Sequence, residues 1–172
     1  MLIAHDKLQR IVQSIVEGTG SKAEEAQIVA SHLVRANLTG HDSHGVGMIP
    51  MYVLIHMMGN LKPNTPARLV SDEGSILRFD GDRGYGQRVA REAMAKGIER
   101  AKETGLALVS LANSHHIGRV GTYGEQALAE GLISIHFVNV VDHAPLVAPF
   151  RGSDARYGTN PVSYTHLTLP TN

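Results

Sequence analysis

The sequence predicts an α/β fold: a helical N-terminal region over residues 1–60, followed by a mixed sheet with a βαβ unit over residues 61–161. Three observations predict it. Residues 5–36 carry apolar side chains at helical spacing in two runs. Residues 106–112 and 132–140 are apolar runs of strand length. Between them, residues 119–130 can form a helix long enough for a parallel crossover.

In the first run, Leu8, Ile11, Val12, Ile15 and Val16 share one helix face. Gly18 and Gly20 end it. Ser21 and Glu24 make the pattern of a capping box, opening a second helix. Its stripe is Ala26, Val29, Ala30, Leu33 and Ala36, and it ends at Gly40. Two helices so closely joined predict an antiparallel hairpin. Residues 41–47 (His-Asp-Ser-His-Gly-Val-Gly) form a polar turn, and Asp42 or Ser43 is placed to cap the next helix. Pro50 suits the first turn of that helix, which runs to about Met58. Asn60–Pro66 is a loop with two prolines.

Ser75–Asp80 alternates as a strand and ends in an Asp-Gly turn. Gln87–Glu103 is a helix that turns Val89, Ala93, Ile98 and Ala101 inward and closes at Gly105. Its Arg88, Arg91, Glu92, Lys96, Glu99, Arg100, Lys102 and Glu103 are expected on a solvated face. Residues 106–112 and 132–140 are expected as buried strands of a parallel βαβ unit. Residues 142–161, with Pro145, Pro149, Gly152 and Gly158, read as an irregular loop.

Composition removes several function classes. The chain has 172 residues and no Cys, which excludes a disulfide scaffold, thiol catalysis and Cys-ligated zinc. Sixteen basic residues balance sixteen acidic ones, unlike the basic face of a nucleic-acid binder. No apolar run approaches the roughly 20 residues that span a bilayer. Residues 1–20 lack the layout of a signal peptide. The expectation is a soluble, cytoplasmic protein with no nucleic-acid or membrane partner.

The unusual count is ten histidines. The cluster His41-Asp42-Ser43-His44-Gly45 joins a hydroxyl, a carboxylate and two imidazoles in one turn. It could bind an anionic substrate or polarise a carbonyl, or simply be a capped turn. The second cluster is Asn113-Ser114-His115-His116-Ile117-Gly118, then Arg119, Val120, Gly121 and Gly124. It follows a strand and opens a helix, where open α/β sheets place ligands. The helix start suits a phosphate or carboxylate, and Gly118 allows close backbone approach. The glycine spacing is not that of a Rossmann fingerprint. His136 reads as a satisfied strand histidine, and His143 has no partner the sequence can name. One alternative is a metal-dependent hydrolase using His41, Asp42, His44, His115 and His116 as ligands. Another is a non-catalytic binding module.

Three segments then act together: Gly40–Val53, Asn113–Gly121 and Val147–Pro161. Their motifs, Gly-His-Asp-Ser-His-Gly-Val-Gly-Met-Ile-Pro, Asn-Ser-His-His-Ile-Gly-Arg-Val-Gly and Gly-Thr-Asn-Pro, resemble the type-2 malate/L-lactate dehydrogenase family. Within it the hydroxycarboxylate dehydrogenase B branch is most similar. The resemblance implies NAD(P)-dependent oxidoreduction of a 2-oxo acid or 2-hydroxycarboxylate, with NAD or NADP as cofactor. It implies a non-Rossmann fold of the L-sulfolactate/malate dehydrogenase kind and a homodimer when full length. Residues 61–161 would be the first part of a cofactor-binding α/β domain, incomplete here because family members are longer.

By the same resemblance His116 is the acid/base histidine. Ser43 and His44 lie on the substrate and nicotinamide side, with His44 orienting or polarising. Gly118, Arg119 and Val120 line the cofactor through their backbone, and Thr159, Asn160 and Pro161 approach the active site. Met48 departs from the pattern, since many relatives carry an arginine there to grip the substrate carboxylate. Residues 162–172 resemble one reading frame of a sequencing-library adapter and are expected to be foreign, so the chain reads as the N-terminal part of a longer enzyme.

Overall fold

The computed structural model describes residues 3–140, 144–159 and 161–164. The chain divides into two compact units, one ending at Arg119 and the other beginning at Val120.

The first unit opens with the expected hairpin of α1 (His5–Gly18) and α2 (Ala23–Leu38). The capping box does not form. Lys22 holds the N-cap position, and the Ser21 hydroxyl donates instead to Glu25 Oε2 at 2.7 Å. The reason is burial. Glu25 is only 1% exposed, and it also accepts the Asn64 N–H at 2.7 Å and Arg88 Nη1 at 3.2 Å. A buried carboxylate is costly unless fully bonded, and Ser21 serves it rather than the helix end.

Val12, Val16, Val29, Ala30 and Leu33 pack with Ile49, Tyr52, Leu61 and Tyr85 into one core. Each large apolar side chain so buried contributes about 1.5–3 kcal/mol. Two 3-10 turns, Asp42–His44 and Val46–Met48, lead into α3 (Ile49–Met57), with Pro50 in its first turn. Neither Asp42 nor Ser43 caps that helix. The turn is closed from α2, where Asn37 Oδ1 accepts the Val46 N–H at 2.9 Å and Asn37 Nδ2 donates to Asp42.

The sheet of this unit has the order β1 (Arg68–Glu73), β2 (Ile76–Asp80), β3 (Leu108–Ala112). Strand β1 was not expected: Arg-Leu-Val-Ser-Asp-Glu does not alternate, and none of its residues is buried. It runs antiparallel to β2, while β2 and β3 run parallel. Helix α4 (Gly86–Thr104) is the crossover between those two. A βαβ unit is therefore formed by β2–α4–β3, one strand and one helix earlier than the sequence placed one.

Leu77, Phe79, Val109 and Leu111 face α4 and pack with Ala93. The helix lies close, since a Cβ at Gly97 would stand 2.5 Å from Val109 Cγ2. The alternate residues point the other way, leaving Leu108 61% exposed. The expected fully buried strand over 106–112 is thus covered on one face.

The second unit contains α5 (Gly121–Ala129) and a two-stranded sheet, β4 (Ile135–Phe137) antiparallel to β5 (Val162–Tyr164). The long buried strand expected over 132–140 is three residues, with Phe137 79% exposed. Strand β3 pairs with β2 within the first unit, and β4 pairs with β5 within the second. His136 is satisfied as a strand residue, through the Ser134 hydroxyl at 2.9 Å from its Nε2. Val147 and Tyr157 form an isolated bridge in the loop that follows. Residues 165–172 of the expected foreign tail lie outside the described residues. No described helix is long and apolar enough to cross a membrane.

Candidate active site

The segment after β3 is held by backbone bonds to the turn after β2. Gly81 and Arg83 donate to the carbonyls of Ala112 and Asn113 at 2.8 and 2.7 Å, and the His115 N–H reaches the Gly84 carbonyl at 3.2 Å. At Gly86 a Cβ would collide with the carbonyl oxygens of both His115 and His116. A glycine is what allows α4 to begin there.

On this support His116 is gripped from α3. The Tyr52 hydroxyl lies 2.7 Å from His116 Nδ1, and Gln87 Nε2 donates to that hydroxyl at 2.7 Å. His115 turns its ring edge-on to Tyr52, with centroids 5.5 Å apart. Two residues on, Gly118 has φ +73°. A side chain there would strike the ring of His32, whose Nε2 accepts the Arg119 N–H at 2.9 Å. The missing side chain at Gly118 lets the backbone lie close against His32 of α2.

His44 comes from the first 3-10 turn, and its ring centroid lies 5.2 Å from that of His116. Its Nδ1 is 2.8 Å from the Ser43 hydroxyl. Both imidazoles are therefore held through Nδ1. Among the described residues no hydrogen bond engages either Nε2. Burial pushes His116 down to about 4, with help from neighbouring His44 and His115. His44 is lowered by burial and by His41, and His115 by burial. Burial also raises the Tyr52 phenol, so it stays protonated at neutral pH. The result is a pair of neutral imidazoles, suited to polarising a carbonyl or taking a proton from a hydroxyl.

The first unit thus brings together Ser43, His44, His116, Gly118 and Arg119. Val120 is the buried N-cap of α5 in the second unit. There Thr159 is exposed, and the Pro161 carbonyl accepts the Val138 N–H at 3.1 Å. Asn160 and His143 lie outside the described residues. Met48 packs against the helical core.

Sequence reasoning missed Tyr52, Gln87, His32 and Asn37 as members of the site. Tyr52 lies inside the Gly40–Val53 segment, where the sequence gives it no role of its own. Gln87 did carry a signal: it is a polar residue three positions before Ala90 on the buried face of α4. Among the described residues no group of three His, Asp or Glu side chains is arranged to hold a metal ion. Nothing in the geometry favours the hydrolase alternative.

The sequence model of the malate/L-lactate dehydrogenase family matches residues 3–167. Hydroxycarboxylate dehydrogenase B of Escherichia coli (strain K12) is 53% identical over 154 residues, covering 90% of this chain and 42% of that protein. L-lactate dehydrogenase of Cupriavidus necator is 38% identical over 164 residues, covering 95% of this chain and 47% of that protein. The solved sulfolactate dehydrogenase from Methanocaldococcus jannaschii superposes with a TM-score of 0.89 at 32% identity, over 95% of this chain and 47% of its own. The chain therefore spans less than half the length of these relatives. With its helical start and mixed sheet, it belongs to the malate/L-lactate dehydrogenase family.

Proposed function

We propose that this chain is part of an NAD(P)-dependent oxidoreductase acting on a 2-oxo acid and its 2-hydroxycarboxylate. The observation that carries the reading is the pair His44 and His116, 5.2 Å apart and each held through Nδ1, in a chain of this family. Bound NAD or NADP would supply the hydride acceptor or donor. The donor set fits such a partner: two neutral imidazoles and a hydroxyl can face a carbonyl without a competing charge.

In the oxidation direction, His116 Nε2 takes the proton of the substrate hydroxyl as the carbon gives up hydride. In reduction it returns that proton to the carbonyl oxygen. A bound carboxylate near the ring favours the imidazolium and lifts its pKa toward neutrality. His44, oriented by Ser43, donates to or polarises the same oxygen. Met48 offers no charge, so the substrate carboxylate falls to Ser43, Arg119 or residues outside this chain. The family resemblance supports His44, Gly118, Arg119, Val120, Thr159, Asn160 and Pro161 as the cofactor-binding positions. The Arg119 N–H donates to His32 Nε2, so a cofactor contact of Arg119 would use another of its atoms. A homodimeric, cytoplasmic enzyme is the matching assembly and location.

The test is NADH- and NADPH-linked turnover of a panel of 2-oxo acids by the full-length enzyme. His116→Ala is expected to lower kcat by about 10²–10⁴-fold. Near-normal turnover in that variant would overturn the reading.

A further inference from the structure

Gln87 is 1% exposed and sits in the first turn of α4. Its Nε2 donates to the Tyr52 hydroxyl at 2.7 Å, which in turn lies 2.7 Å from His116 Nδ1. Its Oε1 is buried and, among the described residues, has no hydrogen-bond partner. Each link in such a chain holds one hydrogen, so the group at its end sets the direction of all the others.

With the amide N–H on Tyr52, the phenol hydrogen points to Nδ1, and a neutral His116 carries its proton on Nε2. With the carboxamide reversed, Oε1 accepts the phenol hydrogen and the phenol oxygen accepts Nδ1–H. The lone pair is then on Nε2. Either orientation makes one bond to Tyr52 and leaves the other end of the amide without one. Reversal therefore costs no hydrogen bond.

We propose that Gln87 is a positioning residue that selects the tautomer of His116 through Tyr52. The orientation seen here keeps the proton on Nε2, and reversal frees Nε2 to act as a base. The proposal rests on the role given to His116 above. In the reversed state the substrate O–H bond breaks and the Nε2–H bond forms. The new imidazolium keeps Nδ1–H on Tyr52, and Tyr52 keeps its hydrogen on Oε1. Packing alone would explain a buried side chain at position 87, but not an amide at the end of this relay.

Long-range proton–nitrogen correlation spectra of the histidine-labelled chain read the tautomer directly, without cofactor or substrate. The expected result is a wild-type His116 protonated mainly on Nε2. Gln87→Glu, read above pH 8, presents only an acceptor to Tyr52 and should shift the ratio toward Nδ1–H by about tenfold or more, the worth of a hydrogen bond to a charged group. In a Tyr52→Phe background the same substitution should leave the ratio unchanged. A wild-type ring protonated mainly on Nδ1 overturns the proposal without any variant. So does a folded Gln87→Glu chain that keeps its proton on Nε2. The His116→Ala turnover test fails or succeeds separately: normal turnover there discards the reaction and leaves the relay standing.

Discussion

The turn at 41–47 and the segment at 113–119 each supply one imidazole, and they are held in opposite ways. His44 leans on its neighbour Ser43, and its turn is tied to Asn37, only nine residues from Val46. His116 depends on Tyr52, 64 residues away, and the Arg119 N–H on His32, 87 residues away. One histidine is placed by local chemistry and the other by the whole first unit. Damage to distant packing should therefore disable His116 long before it disturbs His44.

The largest expected effect is at Gly118. Gly118→Ala adds a strained φ and a collision with the His32 ring, and should cost about 3 kcal/mol or more. Gly20→Ala is the control: its φ is +93° but nothing lies within 4 Å of the added methyl. It should cost about 1 kcal/mol. Equal losses in thermal or urea melts would show that the His32 ring adds nothing to the cost.

Acid should act through the buried ring. His116 is depressed to about 4 in the folded chain, against 6.5 for the unperturbed group. The unfolded chain therefore binds this proton first as pH falls. The stability is fully present above 6.5 and is lost between 6.5 and about 4, by roughly 3 kcal/mol. His116→Asn should flatten that part of the stability profile, and an unchanged slope would assign it elsewhere.

The smallest effects separate the two holders. Tyr52→Phe removes the partner of both Gln87 and His116 and should cost about 1–3 kcal/mol. Ser43→Ala removes an exposed local partner and should stay within about 0.5 kcal/mol. If the two variants melt alike, the contrast between the regions fails.

That contrast also explains what the sequence could reveal. The α1–α2 hairpin and α4 were legible because helical periodicity is local, and α3 because Pro50 suits a first turn. The clusters around Ser43–His44 and His116–Gly118 were legible as motifs. Strand β1 was not, because it buries no side chain and so needs no alternation. The β2–α4–β3 crossover was not read as one because residues 75–80 and 106–112 flank a helix just as residues 106–112 and 132–140 do. Ser21 was misread because its true partner is a carboxylate whose burial depends on Asn64 and Arg88. Tyr52 and Gln87 were invisible as a pair, since nothing in a linear chain brings residue 87 beside residue 52.

Glu25 has a consequence for recombination between relatives. Its carboxylate joins Ser21 at the start of α2, the Asn64 backbone in the following loop and Arg88 on the crossover helix. The Asn64 side chain returns the link, accepting the Lys22 N–H and donating to the Gly20 carbonyl. A chimera spliced at residue 60 would cut across this knot. If the incoming segment lacked Arg88, Glu25 would be left as a buried charge short of its cation, at a cost of about 3–5 kcal/mol. The helical region and the sheet are thus not interchangeable cassettes. Residues 21, 25, 64 and 88 have to be inherited together.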